Sequence, residues 1–270
     1  YSFSATSPLS PLTTYYVVLS NAITDIAGNP LSATSFSFTT NLPAWGDVGT
    51  AGFSAGAASY TSLAIASDGT PYVAYADAGN SNKATVMKFD GNNWVTVGSA
   101  GFSAGAESYT SLAIAPNGTP YVAYRDAGNS NKATVMKFDG NNWVNVGSAG
   151  FSAGAAQYTS LAIAPNGTPY VAYVDVGNSN QATVMEFDGF NWVYVGNAGF
   201  SAGIANYTSL AIASNGTPYV AYQDSGNSNK ATVMKFDGTN WVNVGNAGFS
   251  AGVADYTSLA ITSDGTPYVA

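Results

Sequence analysis

The sequence predicts an all-β protein of repeated four-stranded antiparallel units, and three observations carry that prediction. Trp45, Trp94, Trp143, Trp192 and Trp241 stand 49 residues apart, as do Phe53, Phe102, Phe151, Phe200 and Phe249. A fixed period of this length marks a unit that cannot bury its apolar face alone and must stack on its neighbours. Within each unit, short runs alternate apolar with small or polar residues at period two, the pattern of a half-buried strand. Asp68-Gly69, Asn117-Gly118, Asn166-Gly167, Asn215-Gly216 and Asp264-Gly265 separate the first two runs. Such dipeptides supply the positive-φ residues of a tight hairpin turn.

Residues 60–97 show the plan of one unit. Thr61-Ser-Leu-Ala-Ile-Ala66 is a strand with Leu63 and Ile65 on one face and Ser62, Ala64 and Ala66 on the other. Across the Asp68-Gly69 turn, Pro71-Tyr-Val-Ala-Tyr-Ala76 is its antiparallel neighbour. The polar loop Asp77-Ala-Gly-Asn-Ser-Asn82 leads to a third strand, Ala84-Thr-Val-Met-Lys-Phe89. Asp90-Gly-Asn-Asn93 then turns into the fourth, Trp94-Val-Thr-Val97. Four-stranded meanders repeated at roughly 40–50 residues are the blades of a β-propeller. Small residues on the first strand suit the crowded centre where blades converge, and Trp suits the wide outer strand, so the five tryptophans are read as structural.

Equivalent blades are expected at 109–146, 158–195 and 207–244. Trp45-Gly-Asp-Val48 matches only a fourth strand and Tyr256 to Ala270 only the first two. Residues 45–270 are therefore read as four complete blades with partial blades at both ends, an incomplete propeller, and further repeats are expected beyond Ala270. In period and strand number the repeat resembles bacterial kelch-type and galactose-oxidase-type propellers. It lacks the Gly-Gly pair that true kelch repeats carry after the second strand.

Residues 1–41 lie outside the repeat. Thr13-Thr-Tyr-Tyr-Val-Val-Leu-Ser20 and Ser35-Phe-Ser-Phe-Thr-Thr40 read as strands, and Asp25-Ile-Ala-Gly-Asn-Pro-Leu31 as the turn between them. These pieces resemble the C-terminal strands of the bacterial Ig-like domain found in S-layer and other surface proteins. The resemblance implies a partial β-sandwich whose earlier strands lie upstream of Tyr1. Residues 42–44 form a short linker in which Pro43 blocks strand continuation.

Composition narrows the function. Hydrophobic residues make up 46% of the 270, enough for a large core, whereas charged residues make up 8%, against roughly 25% in ordinary soluble domains. A surface solvated by neutral polar groups and turns suits an extracellular or cell-surface protein. A net charge of -8 excludes nucleic acid and anionic membrane surfaces as partners. No apolar run approaches the ~18 residues of a membrane span.

The chain has no Cys and no His, which removes disulfides, thiolate and imidazole metal sites, Ser-His-Asp triads and a His base. The copper chemistry of galactose oxidase therefore does not follow from the resemblance. Arg125 stands alone, where a sialidase needs several Arg, and Glu107 and Glu186 each occur in one repeat only. No enzyme activity and no cofactor are expected.

The binding candidates lie where near-identical copies differ. Ala76, Arg125, Val174 and Gln223 share one position, and Ser59, Ser108, Gln157, Asn206 and Asp255 share another. Positions that vary among copies are expected to be exposed. Of these, Ala76, Arg125, Val174, Gln223, Ser108, Gln157 and Asn206 are the candidate ligand-contacting residues. Tyr72, Tyr75 and Trp94 are candidate platforms for a sugar ring, and the third blade differs further through Gln181, Glu186, Phe190 and Tyr194. Asp77, Asp126, Asp175 and Asp224 are weak calcium candidates, because one Asp and two amides per loop supply little charge.

The function expected is a non-catalytic secreted or cell-surface binding and adhesion module whose propeller loops meet a protein or glycan. The alternatives are the propeller part of a larger extracellular hydrolase or lyase with its catalytic residues elsewhere, and a purely structural array.

Overall fold

The computed structural model describes residues 9–10, 12–30, 32–40 and 46–270. The chain divides into two compact units, Tyr1–Val48 and Gly49–Ala270. In the first, β1 (Thr14–Leu19) pairs antiparallel with β2 (Thr34–Thr39) in the register Thr14↔Thr39 to Leu19↔Thr34. The turn between them closes on Asp25, whose Oδ1 accepts from the backbone N–H groups of Ala27 and Asn29 at 2.8 and 2.9 Å. Tyr15 stacks on Phe38 across the pair, with ring centroids 5.8 Å apart.

The second unit is the blade array. Blade 1 comprises β3 (Ala58–Ile65), β4 (Pro71–Asp77), β5 (Lys83–Phe89) and β6 (Trp94–Thr96). Blade 2 comprises β7 (Glu107–Ile114), β8 (Pro120–Asp126), β9 (Lys132–Phe138) and β10 (Trp143–Asn145). Blade 3 comprises β11 (Ala156–Ile163), β12 (Pro169–Asp175), β13 (Gln181–Phe187) and β14 (Trp192–Tyr194). Blade 4 comprises β15 (Ala205–Ile212), β16 (Pro218–Asp224), β17 (Lys230–Phe236) and β18 (Trp241–Asn243). A two-stranded sheet, β19 (Leu259–Ile261) with β20 (Pro267–Val269), follows. Each blade is an antiparallel meander with its strands hydrogen-bonded in chain order, and among the described residues four complete blades and a two-stranded remnant make an incomplete propeller. Gly46 to Val48 form no strand, and Trp45 lies outside the described residues. The fourth strand expected at the start of the array is therefore not found among Gly46–Val48.

What holds the array together is a seam repeated between successive blades. The inner strand of one blade packs on that of the next, β3 on β7, β7 on β11 and β11 on β15. Ser62 Oγ accepts from the backbone N–H of Leu112 at 2.9 Å, and Ser111 and Ser160 do the same for Leu161 and Leu210. The small residues of the first strand thus allow close approach and also tie neighbouring strands. On the other face of the strand, Leu112, Leu161 and Leu210 are each 6% exposed, whereas Leu63 of blade 1 is 65% exposed. Leu63 points away from blade 2, so no later blade covers it.

The outer half of each seam is built on Trp. Trp143 Nε1 donates to the Val97 carbonyl of the preceding blade at 2.8 Å, and Trp192 and Trp241 donate to Val146 and Val195 at 2.7 Å. Phe102, Phe151 and Phe200 from the connectors stack on these indoles with centroids 4.2–4.3 Å apart. Trp143, Trp192 and Trp241 are buried and Trp94 is half-buried. Offset aromatic pairs contribute about 0.5–1.5 kcal/mol beyond the area they bury. Trp143, Trp192 and Trp241 thus pack between blades, and Trp45 lies outside the described residues.

Candidate functional site

Each blade has two rims. At one end of the strands lie the loop between the second and third strands and the connector to the next blade; at the other lie the two tight turns. The connector rim is closely packed. A Cβ on Gly105 would fall 2.4 Å from the backbone nitrogen of Gly128, so connector and loop touch backbone to backbone, and only glycine fits.

The weak calcium candidates lie on this rim and are fully engaged. Asp77 accepts from Gly79 N–H at 2.9 Å through Oδ1, and from Asn80 Nδ2 and Thr85 Oγ1 at 2.8 and 3.1 Å through Oδ2. Asp126, Asp175 and Asp224 repeat this arrangement, and all four are 0–1% exposed. Each carboxylate caps its own loop and ties it to the third strand. Among the described residues no group of three His, Cys, Asp or Glu is placed to hold a metal ion.

The variable positions also lie on this rim, and register brings them together: Ser59 faces Ala76, Ser108 faces Arg125, Gln157 faces Val174 and Asn206 faces Gln223. The expectation that they are exposed fails for Ala76, Val174 and Gln223, which are 1%, 1% and 6% exposed. Ser108, Arg125, Gln157 and Asn206 are half-buried. The physical reason is that the position points into the seam. Gln223 accepts from Asn206 Nδ2 at 3.0 Å and donates through Nε2 to Asp255 Oδ1 of the following unit at 2.6 Å. Arg125 keeps Nε buried without a hydrogen-bond partner.

Sequence reasoning missed a tyrosine ladder beside these pairs. Tyr60, Tyr109, Tyr158, Tyr207 and Tyr256 all take φ of +50 to +56°, the first four at a bulge in the inner strand that breaks register between, for example, Ser108 and Ser111. Non-glycine residues rarely adopt this conformation, which costs about 1–3 kcal/mol. Successive rings lie 4.5–5.4 Å apart, tilted against each other. Burial first, then the neighbouring tyrosines, pushes the Tyr158 hydroxyl up to about 12. The signal was present, since a Tyr shares a face with Ser62 and Ala64, which pack at a crowded centre. The strand bulges at that Tyr, and its ring lies against the Tyr of the next unit.

Glu107 is the other unexpected group. It is 5% exposed, occupies a position that is Ala in every other copy, and accepts from Thr110 Oγ1 at 2.6 and 2.5 Å. Burial pushes its carboxyl up to about 7, partly offset by the Thr110 hydroxyl. In the later blades the same Thr instead donates to the preceding blade, Thr159 to the Tyr109 carbonyl and Thr208 to the Tyr158 carbonyl.

The turn rim is open. Between blades 1 and 2 a cleft of about 480 Å³ is lined by Tyr72 and Lys88 on one side and by Asn117, Tyr121, Lys137 and Asp139 on the other. Equivalent clefts of about 410 Å³ and 550 Å³ follow between blades 2 and 3 and blades 3 and 4. Tyr121 and Tyr170 each line two successive clefts. Of the expected sugar platforms, only the Tyr72 position is placed in a cleft. Tyr75 is buried and donates its hydroxyl to Met87 Sδ at 3.2 Å, and Trp94 stacks on Phe53 with centroids 4.4 Å apart. The cleft residues lie at the opposite end of the second strand from the variable position.

The comparisons with known proteins bear on the fold. Residues 1–40 match the bacterial Ig-like domain. No curated protein matches the chain in sequence. Among solved structures, a protein of unknown function from Dyadobacter fermentans DSM 18053 is similar with a TM-score of 0.53 at 16% identity, over 78% of this chain and 74% of that one. The Aleuria aurantia lectin, a mutant in complex with Fucα1-6GlcNAc, is similar with a TM-score of 0.52 at 17% identity, over 77% and 69%. The Hadza microbial sialidase Hz136 is similar with a TM-score of 0.53 at 13% identity, over 82% of this chain and 52% of that one. At these identities the likeness is one of fold.

Proposed function

We propose that the blade array is a non-catalytic glycan-binding module of an extracellular or cell-surface protein, with its binding sites in the clefts of the turn rim. The observation that carries this reading is the recurrence of one cleft three times, each with a tyrosine on both walls and amide, carboxylate and ammonium groups between them. Sugar sites combine an apolar ring platform with a few placed polar groups. Three weak sites in one rigid array would add through avidity on a polymeric or clustered glycan.

Several features support binding over catalysis. The loop carboxylates Asp77, Asp126, Asp175 and Asp224 are held by their own loops, and Glu107 is buried beside Thr110, away from the clefts. A glycosidase needs two free carboxylates facing a substrate. In the clefts Asp139, Asp188 and Asp237 are each engaged by the backbone of their own turn, leaving Glu186 as the carboxylate not held by a turn. The Ig-like match at residues 1–40 accords with a surface setting, and a lectin is among the proteins that share the fold. No helix among the described residues is long and apolar enough to cross a membrane.

A glycan-array screen of the 270-residue chain, followed by titration calorimetry, tests the proposal. Tyr121→Ala should weaken binding of any hit at least tenfold, because it removes a wall from two clefts at once. Absence of any hit, or a hit insensitive to Tyr121→Ala and Tyr170→Ala in folded protein, would overturn it.

A further inference from the structure

The three clefts share a backbone and differ in charge. The cleft between blades 1 and 2 holds two ammonium groups, Lys88 and Lys137, against one carboxylate, Asp139. The next holds Lys137 against Glu186 and Asp188, and the third holds Lys235 against Glu186 and Asp237. One residue makes the difference, since Glu186 of blade 3 occupies the position of Lys88, Lys137 and Lys235. By the side chains lining them, the first cleft carries one net positive charge on a chain of net charge -8, and the other two carry one net negative charge each. Lys88 also borders Asp68 and Asp90 of its own blade.

The groups around these lysines sharpen the contrast. Asp139, Asp188 and Asp237 are engaged alike, each Oδ1 accepting from two backbone N–H groups of its own turn at 2.7–2.9 Å, so the contrast rests on the Lys or Glu position. In the second and third clefts the Tyr170 hydroxyl is tied to Glu186, its register partner, and burial and that carboxylate together disfavour its ionisation. Tyr121, which faces Lys137 in register, is disfavoured from ionising by burial alone. The first cleft thus offers a tyrosine wall on each side with an ammonium beside each, Tyr72 with Lys88 and Tyr121 with Lys137.

We infer that the cleft between blades 1 and 2 binds an acidic saccharide, its carboxylate or sulfate lying between Lys88 and Lys137, whereas the two later clefts take uncharged sugars. The inference rests on the glycan-binding reading above. Charge-assisted hydrogen bonds to an ammonium are the stronger kind, and in an open cleft their contribution falls as salt screens it.

The test is calorimetry of the full chain with three probes: an oligogalacturonide carrying carboxylates, a sulfated oligosaccharide, and an uncharged galacto-oligosaccharide. An acidic probe should bind one site per chain with affinity falling as NaCl is raised, and the better of the two acidic probes identifies the anionic group. Lys88→Gln should weaken that binding roughly tenfold with uncharged binding at the two later clefts retained, and Lys137→Gln should weaken the acidic binding to a similar extent. Glu186→Lys should raise the number of acid-binding sites from one to three. If uncharged sugars bind while acidic ones bind no tighter, or if both lysine variants leave acidic binding unchanged, the inference fails and the glycan reading stands. If none of the three probes nor any array glycan binds, the glycan reading itself fails.

Discussion

The seam between blades 1 and 2 and the seam between blades 3 and 4 have the same middle and different ends. In both, a Trp donates to the Val carbonyl of the preceding blade and is stacked by a connector Phe, at 4.3 Å for Phe102 on Trp143 and 4.2 Å for Phe200 on Trp241. At the connector rim the first seam buries Glu107 where the later one has Ala205. At the turn rim the first cleft has Lys88 where the later one has Glu186. The array therefore keeps one apolar frame while charge differs at the two rims, where Glu107 accepts from Thr110 and the equivalent Thr208 donates to the preceding blade.

The largest effect should come from the shared middle. Trp143→Ala and Trp241→Ala each remove an indole held between two Phe rings and leave a cavity in the seam, at a cost of about 3–5 kcal/mol. Denaturant titration should show similar losses for the two, and a loss at only one seam would break the equivalence.

A smaller effect, confined to the first seam, should depend on pH. The folded-state pKa of Glu107 is raised from 4.5 to about 7, so the folded chain holds this proton more tightly than the unfolded chain does. The penalty for ionising it is absent below pH 4.5, grows between 4.5 and about 7, and is constant above, reaching roughly 3 kcal/mol. Glu107→Gln should remove this slope and stabilise the protein at pH 8. Stability curves of parent and variant that run parallel from pH 5 to pH 8 would contradict the assignment.

The smallest effect is expected at Gln223, which bridges Asn206 and Asp255 in a position that blade 3 fills with Val174. Gln223→Val should cost about 1 kcal/mol or less, because two hydrogen bonds are exchanged for apolar packing already tolerated one blade earlier. A cost near that of the Trp variants would mean that the rim, rather than the indole, carries the seam.

The sequence by itself determined the 49-residue period, the four strands of each blade, the Asn-Gly and Asp-Gly turns and the burial of Trp143, Trp192 and Trp241. These are local patterns, set by strand alternation and turn chemistry within one hairpin. Only the tertiary structure decided that Ala76, Val174 and Gln223 point into seams, that Asp77 closes its loop through Thr85, that Tyr60 and its copies turn through a bulge into a ladder, and that Lys88 meets Lys137 across a cleft. The seam contacts join residues about one period apart, as Leu112 N–H to Ser62 Oγ does. Nothing in the local alternation of either strand specifies how blades stack, so the charge of each cleft became visible only when successive copies were placed side by side.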